Sequence, residues 1–223
     1  MVRHPMARHM SPGMEAVVGM KRRTALAAMA GAGGACFTGT TVRADGRWNA
    51  DALAAGPSAV ILGNPRGDVT VAEFFDYQCP YCRRMQPVIR ALLEDDPSLR
   101  LVHKHWPALG GGSILAARVA LAARWQAERY GAVHAALMRL GGRFSEARIR
   151  EAVAHAGLDM AALDRALATR AAEIDAALDE AERQARWLHL QGTPGYMVGR
   201  YVVHGAVGLA AMQRTVARAR AAG

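Results

Sequence analysis

Residues 69–82 decide the fold, and they read VTVAEFFDYQCPYC. The first seven, Val69 to Phe75, are apolar, aromatic or β-branched except for Glu73, which predicts a buried central strand. From Tyr81 to about Glu94 the apolar residues recur at helical spacing. The four residues Cys79-Pro80-Tyr81-Cys82 therefore lie at a strand-to-helix junction.

The rest of the chain predicts an α/β sheet interrupted by a helical insertion. Residues 99–106 return to strand character, which implies a right-handed parallel crossover with the first strand. Residues 113–190 are helical almost throughout and predict three to five helices. Residues 196–203 predict a hairpin with a two-residue turn, and residues 209–221 a closing amphipathic helix.

Composition excludes several classes of protein. The chain has 223 residues, 52% of them hydrophobic, which is ample for a packed core and too apolar for a disordered chain. The net charge is +9, but six of the 28 basic residues and one of the 19 acidic residues fall in the first 44 positions. No basic stripe with interleaved aromatic residues follows, so nucleic-acid binding is not expected.

Residues 1–44 are predicted to be a leader. A short basic stretch around Arg22-Arg23 precedes a small-residue apolar run over residues 25–37, and cleavage is expected after Ala44. The arginine pair only partly fits the twin-arginine export pattern. A buried N-terminal helix is the alternative, disfavoured by the glycines in the run. Two alternative start sites lie within the segment, Met14 and Met20.

The cysteine count suits a redox protein in an oxidising compartment. Of the three cysteines, Cys36 lies in the predicted leader, where no Leu-led lipidation motif precedes it, and one pair remains. Three are too few for a disulfide scaffold or a four-cysteine zinc site.

The pair itself predicts a nucleophile and a resolving thiol. Cys79 would lie at the helix N-terminus, where unpaired N–H groups and the helix dipole stabilise a thiolate. We expect Cys79 to be the exposed nucleophile and Cys82 the buried resolving thiol, with Pro80 in the first helical turn. Arg83 and Arg84 are expected to lower the pKa of Cys79 further.

Two other interpretations of the cysteine pair are half of a zinc site and a purely structural disulfide. Half of a zinc site would need more ligands, and His103 and His105 are expected to point to opposite faces of their strand. A purely structural disulfide across so short a span would constrain little of the unfolded chain.

Three residues outside the motif are also candidates. Glu73 is an ionisable group in a buried strand, so it is either a proton acceptor for Cys82 or the partner of an ion pair with Lys104. Thr193-Pro194 is a candidate cis peptide that would present backbone to an extended substrate, although an ordinary loop proline is the simpler interpretation of these two residues alone.

Three segments resemble the DsbA family of thioredoxin-fold proteins, and in particular its Com1-type and ScsC-like branch. The first is residues 63–82, the second is residues 104–110, where His105 replaces a residue that is usually acidic, and the third is residues 192–196. The resemblance runs from about Gly63 to the C-terminus.

This resemblance implies a thioredoxin-like α/β fold over residues 63–223, with an inserted helical subdomain at about 113–190. It implies a catalytic pair Cys79 and Cys82 supported by Pro80 and Tyr81, and a cis bond before Pro194. It also implies no bound cofactor or metal, unfolded or extended protein substrates, and a membrane redox partner of DsbB or DsbD type. The role of His105 is left open.

The short stretch before the domain bears on the direction of the reaction. Residues 45–62 form a brief N-terminal extension, whereas ScsC-like isomerases oligomerise through a longer one. We therefore expect a monomeric, periplasmic dithiol oxidase, with an ScsC-like isomerase or reductase as the alternative.

Further alternatives are a glutaredoxin, a copper-handling protein or a surface interaction protein. Glutaredoxins are cytosolic and lack the long helical insertion, and the methionines here are scattered rather than clustered.

Overall fold

The computed structural model describes residues 42–43, 49–56, 58–126 and 128–223. The elements follow in the order β1 (Val42–Arg43), α1 (Ala50–Ala54), β2 (Ala59–Gly63), β3 (Val69–Phe75), α2 (Pro80–Asp95), β4 (Leu99–His105), α3 (Gly111–Ala123), α4 (Tyr130–Arg139), α5 (Glu146–His155), α6 (Met160–Thr169), α7 (Ala171–Trp187), β5 (Gly195–Val198), β6 (Tyr201–His204) and α8 (Leu209–Arg220).

The six strands form one mixed sheet in the order β1-β6-β5-β3-β4-β2. The strands β3 and β4 are parallel, as the strand-helix-strand pattern predicts, and all the other pairs are antiparallel. The seven residues of β3 are all buried, so the strand that carries the cysteine motif is the centre of the sheet. The hairpin β5-β6 is also present.

The strand β2 was missed by the sequence analysis, which treated residues 45–62 as an extension. It is a sheet edge that pairs antiparallel with β4. Its burial is irregular, and Ile61 is 43% exposed. A run of five residues in which apolar and polar side chains do not alternate gives only a weak indication of a strand.

Alternation along the strands separates the two faces of the sheet. Val69 and Val71 face a cluster with α2 and α8, and Phe75 on the same face meets the helical insertion. Ala72 and Phe74 point the other way, towards α1 and the end of α7.

This alternation corrects the expectation for the two histidines of β4. His103 and His105 are two positions apart and therefore share a face, and both rings pack against Phe75. The prediction that they point to opposite faces was wrong.

The insertion consists of five helices, α3 to α7, at the upper end of the predicted range. Two of them begin at side-chain caps: Ser145 accepts a hydrogen bond from the backbone of Arg148, and Asp159 accepts from Ala161 and Ala162. Their apolar faces bury a core that also receives the two cysteines. The predicted fold class, a thioredoxin-like sheet with a helical insertion, is confirmed.

The predicted leader lies outside the described residues, except for Val42 and Arg43, which pair with β6. Within the part of the chain that the structure describes, no helix is both long and apolar enough to cross a membrane.

Candidate active site

A buried carboxylate holds the loop between β3 and α2 in place. Asp76 follows β3 directly, and its Oδ1 accepts hydrogen bonds from the backbone N–H of Gln78 at 2.7 Å and from the Ser113 hydroxyl at 2.6 Å. Its Oδ2 accepts from the backbone N–H of Leu109 at 2.9 Å. Asp76 therefore ties the cysteine loop to the start of the helical insertion. Sequence analysis did not single it out, although an Asp next to a turn is a common cap for local backbone.

The helix α2 begins at the motif as predicted. Cys79 is the N-cap in an extended conformation, and Pro80 is the first helical residue. Cys79 exposes 4% of its surface and Cys82 none, and both thiols are free. Cys79 is thus the more accessible sulfur, but it is nearly buried rather than exposed as expected.

The surroundings of Cys79 favour its thiolate. A hydrogen bond from the Cys82 thiol lowers the pKa of Cys79 from 9.0 to about 5, against the opposing effect of burial. The Thr193 side chain and the backbone N–H groups of Tyr81 and Cys82 at the start of the helix also lower the pKa of Cys79. In its protonated form the Cys79 thiol donates to the Thr193 carbonyl at 3.1 Å.

The two arginines after the motif do not act on Cys79 as expected. The Arg83 guanidinium donates to the backbone carbonyl of Tyr77 at 3.0 Å and lies over the ring of Phe144. Arg84 stacks on the exposed ring of Tyr81. The causes of the lowered pKa of Cys79 include neither of them.

Cys82 holds its proton far more tightly. The hydrogen bond to Cys79 raises its pKa well above 9.0, and burial and the nearby Glu73 act in the same direction. Before Cys82 can attack a disulfide it must lose that proton to a neighbouring group.

Glu73 is a buried carboxyl on the strand below Cys82. Burial raises its pKa from 4.5 to about 7, although the Tyr196 hydroxyl donates to its Oε1 at 3.2 Å. Its Oε2 lies 3.5 Å from His103 Nε2 on β4. A carboxyl with this pKa both accepts and releases a proton near neutral pH.

The expected alternative, an ion pair between Glu73 and Lys104, was wrong. The register of β3 and β4 places His103 opposite Glu73, so Lys104 points to the other face of the sheet. There its ammonium donates to the Ser58 hydroxyl at 2.6 Å, and burial lowers its pKa to about 8.

The loop before β5 lies beside the cysteines. The Thr193–Pro194 peptide is cis, as the resemblance implies, and Pro194 itself is buried. Next to it is a groove of about 350 Å³, lined by Tyr81, Thr193, Pro194 and His204 together with Gln191, Gly192, Gly205 and Ala206. The groove is mostly apolar, and Thr193 in its wall lies next to the Cys79 sulfur.

A buried group of polar rings lies behind the cysteines, and sequence analysis did not foresee it. We call it the histidine–tyrosine cluster; its members are His103, His105, His134, Tyr77 and Tyr130. All five residues are at most 7% exposed. Burial is the main reason why the pKa of each histidine lies below its ordinary value. The histidines are therefore neutral. His105, where the resemblance expects an acid, is one of its members.

Among the described residues, no group of three or more His, Cys, Asp or Glu side chains is arranged to hold a metal ion.

The profile of the DSBA-like thioredoxin domain matches residues 70–217. The chain belongs to the DSBA-like thioredoxin domain family. The resemblance predicted from the three motif segments is thereby confirmed.

Solved structures agree with this assignment. A thioredoxin-like oxidoreductase from Silicibacter pomeroyi DSS-3 is 43% identical, with a TM-score of 0.74 over 79% of this chain and all of that one. The thiol-disulfide exchange protein alpha-DsbA2 from Wolbachia pipientis is 26% identical, with a TM-score of 0.69 over 72% of this chain and 87% of that one. A periplasmic thioredoxin-like protein from Salmonella enterica serovar Typhimurium is 27% identical, with a TM-score of 0.65 over 76% and 94% of the two chains.

Two curated relatives are much longer proteins. The Na(+)/H(+) antiporter NhaA 1 of Salinispora arenicola is 30% identical over 71% of this chain, which is 24% of the antiporter. The antiporter NhaA 3 of Salinispora tropica is 43% identical over 21% of this chain, which is 7% of that protein. This chain therefore spans only a minor part of the curated relatives it matches.

Proposed function

We propose that this protein is an exported thiol–disulfide oxidoreductase that works through Cys79 and Cys82, and that it acts as a dithiol oxidase. The observation that carries the proposal is the asymmetry of the pair: the pKa of Cys79 falls to about 5, while that of Cys82 rises above its ordinary value. A nucleophile that is ionised at neutral pH and a resolving thiol that keeps its proton are the two parts that disulfide exchange needs.

The same asymmetry favours the oxidase direction. A stabilised Cys79 thiolate lowers the free energy of the reduced pair, and a pair that is stable when reduced passes its disulfide on readily. A substrate thiolate attacks the Cys79 sulfur of the Cys79–Cys82 disulfide, and Cys82 leaves and takes up a proton. A second substrate thiolate then attacks the substrate sulfur of the mixed disulfide, and Cys79 leaves as a thiolate.

The groove beside Thr193 and Pro194 fits an extended protein chain. Its walls are mostly apolar, and the Thr193 carbonyl already contacts the Cys79 sulfur at 3.1 Å. A peptide lying along this loop would present its cysteine to Cys79 while an apolar side chain fills the groove. Tyr81, which is 52% exposed at its edge, would contact the same peptide.

Export and partners complete the proposal. The predicted leader supports an extracytoplasmic, periplasmic location, and the Salmonella structure of the same fold is described as periplasmic. In that compartment the reduced pair would be re-oxidised by a membrane protein of DsbB type. A monomer is expected in solution.

Three variants, each with one cysteine replaced by serine, test the function. The full chain and its Cys79→Ser, Cys82→Ser and Cys36→Ser variants are compared in the oxidation of a reduced, unfolded protein, with glutathione disulfide as the oxidant that loads Cys79. Cys79→Ser should abolish exchange, and Cys82→Ser should accumulate a mixed disulfide with the substrate. Cys36→Ser is the matched control and should behave as the wild type. Full activity of the Cys79→Ser variant would overturn the assignment of Cys79 as the nucleophile. A wild-type protein without activity would overturn the proposal and favour a non-catalytic copper-handling or interaction role.

The direction is tested in the cell that makes the protein. Rapid alkylation of free thiols should find the Cys79–Cys82 pair mostly oxidised. A mostly reduced pair would contradict the oxidase proposal and indicate an isomerase or reductase.

A further inference from the structure

The histidine–tyrosine cluster is continuous with Glu73 at one end and with the partly exposed Gln86 at the other. His103 Nε2 lies 3.5 Å from Glu73 Oε2, and the other ring nitrogen of His103 lies 2.9 Å from the Tyr130 hydroxyl. The Tyr130 and Tyr77 hydroxyls meet at His105 Nε2, at 3.2 Å and 3.4 Å.

The path continues from Tyr77 to the surface. The Tyr77 hydroxyl lies 3.2 Å from His134 Nδ1, and His134 Nε2 lies 3.0 Å from Gln86 Oε1 on α2. Gln86 is partly exposed, whereas the members of the cluster are buried. His103 and His134 each enter the path through one ring nitrogen and leave it through the other, which is the arrangement that lets an imidazole pass a proton on.

Unpaired polar atoms are concentrated on this path. In the part of the chain that the structure describes, four buried side-chain polar atoms lack a hydrogen-bond partner, and three of them are Glu73 Oε2, His105 Nδ1 and Gln86 Nε2. A buried polar atom without a partner costs stability, so such atoms are rare unless they have a role. A fully satisfied structural network would not leave three of them along one path.

Glu73 needs such a path if it serves Cys82. Glu73 is fully buried, and its immediate polar neighbours are Tyr196 on Oε1 and His103 beside Oε2. A proton that it takes from Cys82 must leave before the next turnover.

We propose that the histidine–tyrosine cluster carries protons between Glu73 and the solvent at Gln86. This inference rests on the proposed disulfide exchange at Cys79 and Cys82. When the reduced pair is oxidised, Cys79 attacks an external disulfide, and the first leaving thiolate departs. The Cys82 thiol gives its proton to the Glu73 carboxylate and attacks Cys79, which expels the second thiolate.

The proton on Glu73 then moves outward without any net change in the charge of the cluster, while the tautomers of His103 and His134 are exchanged. Glu73 gives it to His103 Nε2, and His103 gives the proton of its other nitrogen to Tyr130. Tyr130 gives a proton to His105 Nε2, and His105 passes it to the Tyr77 oxygen. Tyr77 gives its own proton to His134 Nδ1, and His134 releases its Nε2 proton to solvent water beside the Gln86 amide oxygen. In the oxidase half of the cycle the same steps run inward and return a proton to Cys82.

Two phenylalanine variants break the path at successive points. Tyr130→Phe and Tyr77→Phe each remove one hydroxyl oxygen and keep the ring. Tyr201→Phe, a half-buried phenol on β6 outside the cluster, is the matched control. The reduced full-length protein is mixed with saturating glutathione disulfide at about pH 6 and quenched with acid. At this pH most Glu73 carboxyls start protonated, so that proton must leave through the cluster before Glu73 can accept one from Cys82. Mass spectrometry then follows the conversion of the Cys79–glutathione mixed disulfide to the Cys79–Cys82 disulfide.

Each variant should slow this conversion by about 10- to 100-fold, at or below the lower end of the range for a positioned proton transfer. The double variant should be no slower than either single one, because one break suffices. In mixtures of light and heavy water, a plot of the wild-type rate against the deuterium fraction should be curved, since several protons move together. In the variants it should become linear.

Different failures have different meanings. If the wild-type protein forms no Cys79–Cys82 disulfide, the proposed function fails. If it does, but both variants match Tyr201→Phe in rate and in isotope dependence, the relay is overturned. Additive losses in the double variant with an unchanged isotope dependence would overturn it as well, because they indicate a purely structural role for the two hydroxyls.

Discussion

Replacing Glu73 by Gln should make the protein more stable at alkaline pH and leave its stability unchanged at acidic pH. The amide has the shape of the protonated carboxyl, and its oxygen still accepts the hydrogen bond of the Tyr196 hydroxyl. The variant therefore removes the titration and little else. A buried carboxyl that is kept near a thiol at the expense of stability is what a proton-transfer role requires.

The magnitude follows from the pKa of the buried carboxyl. Burial raises the pKa of Glu73 from 4.5 in the unfolded chain to about 7 in the folded protein. Between these two values the folded chain holds one more proton than the unfolded chain, so the free energy of unfolding falls as the pH rises. Above pH 7 the full loss is about 3 kcal/mol.

Urea denaturation of the reduced protein at about pH 4 and about pH 8 measures this difference. The wild type and Glu73→Gln should be about equally stable at the lower pH, and the variant should be more stable by about 3 kcal/mol at the higher pH. The buried histidines titrate in both proteins, so their effect cancels. Glu146→Gln, on the exposed first turn of α5, is the matched control and should change stability by less than about 0.5 kcal/mol at either pH.

The result that would refute the reasoning is a Glu73→Gln difference that is the same at both pH values. It would mean that Glu73 has an ordinary pKa in the folded protein and that Cys82 has no acceptor poised near neutrality.

Three further predictions concern the surroundings of the site. Tyr196→Phe removes the hydrogen bond that lowers the pKa of Glu73, so this pKa should rise further. In the same denaturation series, the fall of the unfolding free energy with pH should therefore extend to a higher pH in the variant than in the wild type. Asp76→Ala leaves buried donors unpaired and should cost about 2–3 kcal/mol of unfolding free energy, together with faster hydrogen exchange in the loop before α2. Lys104→Met should have a larger free energy of unfolding than the wild type at neutral pH, because burial lowers the pKa of Lys104 to about 8. Between pH 8 and 10.5 the wild type should regain up to about 3 kcal/mol of this difference. A stability difference that is the same at neutral pH and at pH 10.5 would contradict this.

Local patterns predicted the elements around the cysteine motif. The buried β-branched run of β3 and the apolar spacing of α2 depend on neighbours in sequence, so both elements lie where they were expected. The family resemblance then supplied what the residues alone did not, including the cis peptide before Pro194. On the residues alone an ordinary loop proline was the simpler interpretation.

The errors came from long-range pairing. Which β4 residue lies opposite Glu73 depends on the register of two strands separated by a helix, and a shift of one residue exchanges Lys104 for His103. The histidine–tyrosine cluster combines β4, α4 and the loop between β3 and α2, so no sequence window contains it. The spacing of His103 and His105 by two was the one signal that could have indicated a shared face.

Titrating the Cys79 thiolate of the reduced protein by its ultraviolet absorbance tests most directly whether Cys79 is the nucleophile. The wild type should show a transition near pH 5 that Cys79→Ser removes and Cys36→Ser leaves in place. A wild-type protein without a transition below neutral pH, or a transition that persists in Cys79→Ser, would contradict the assignment of Cys79 as the nucleophile.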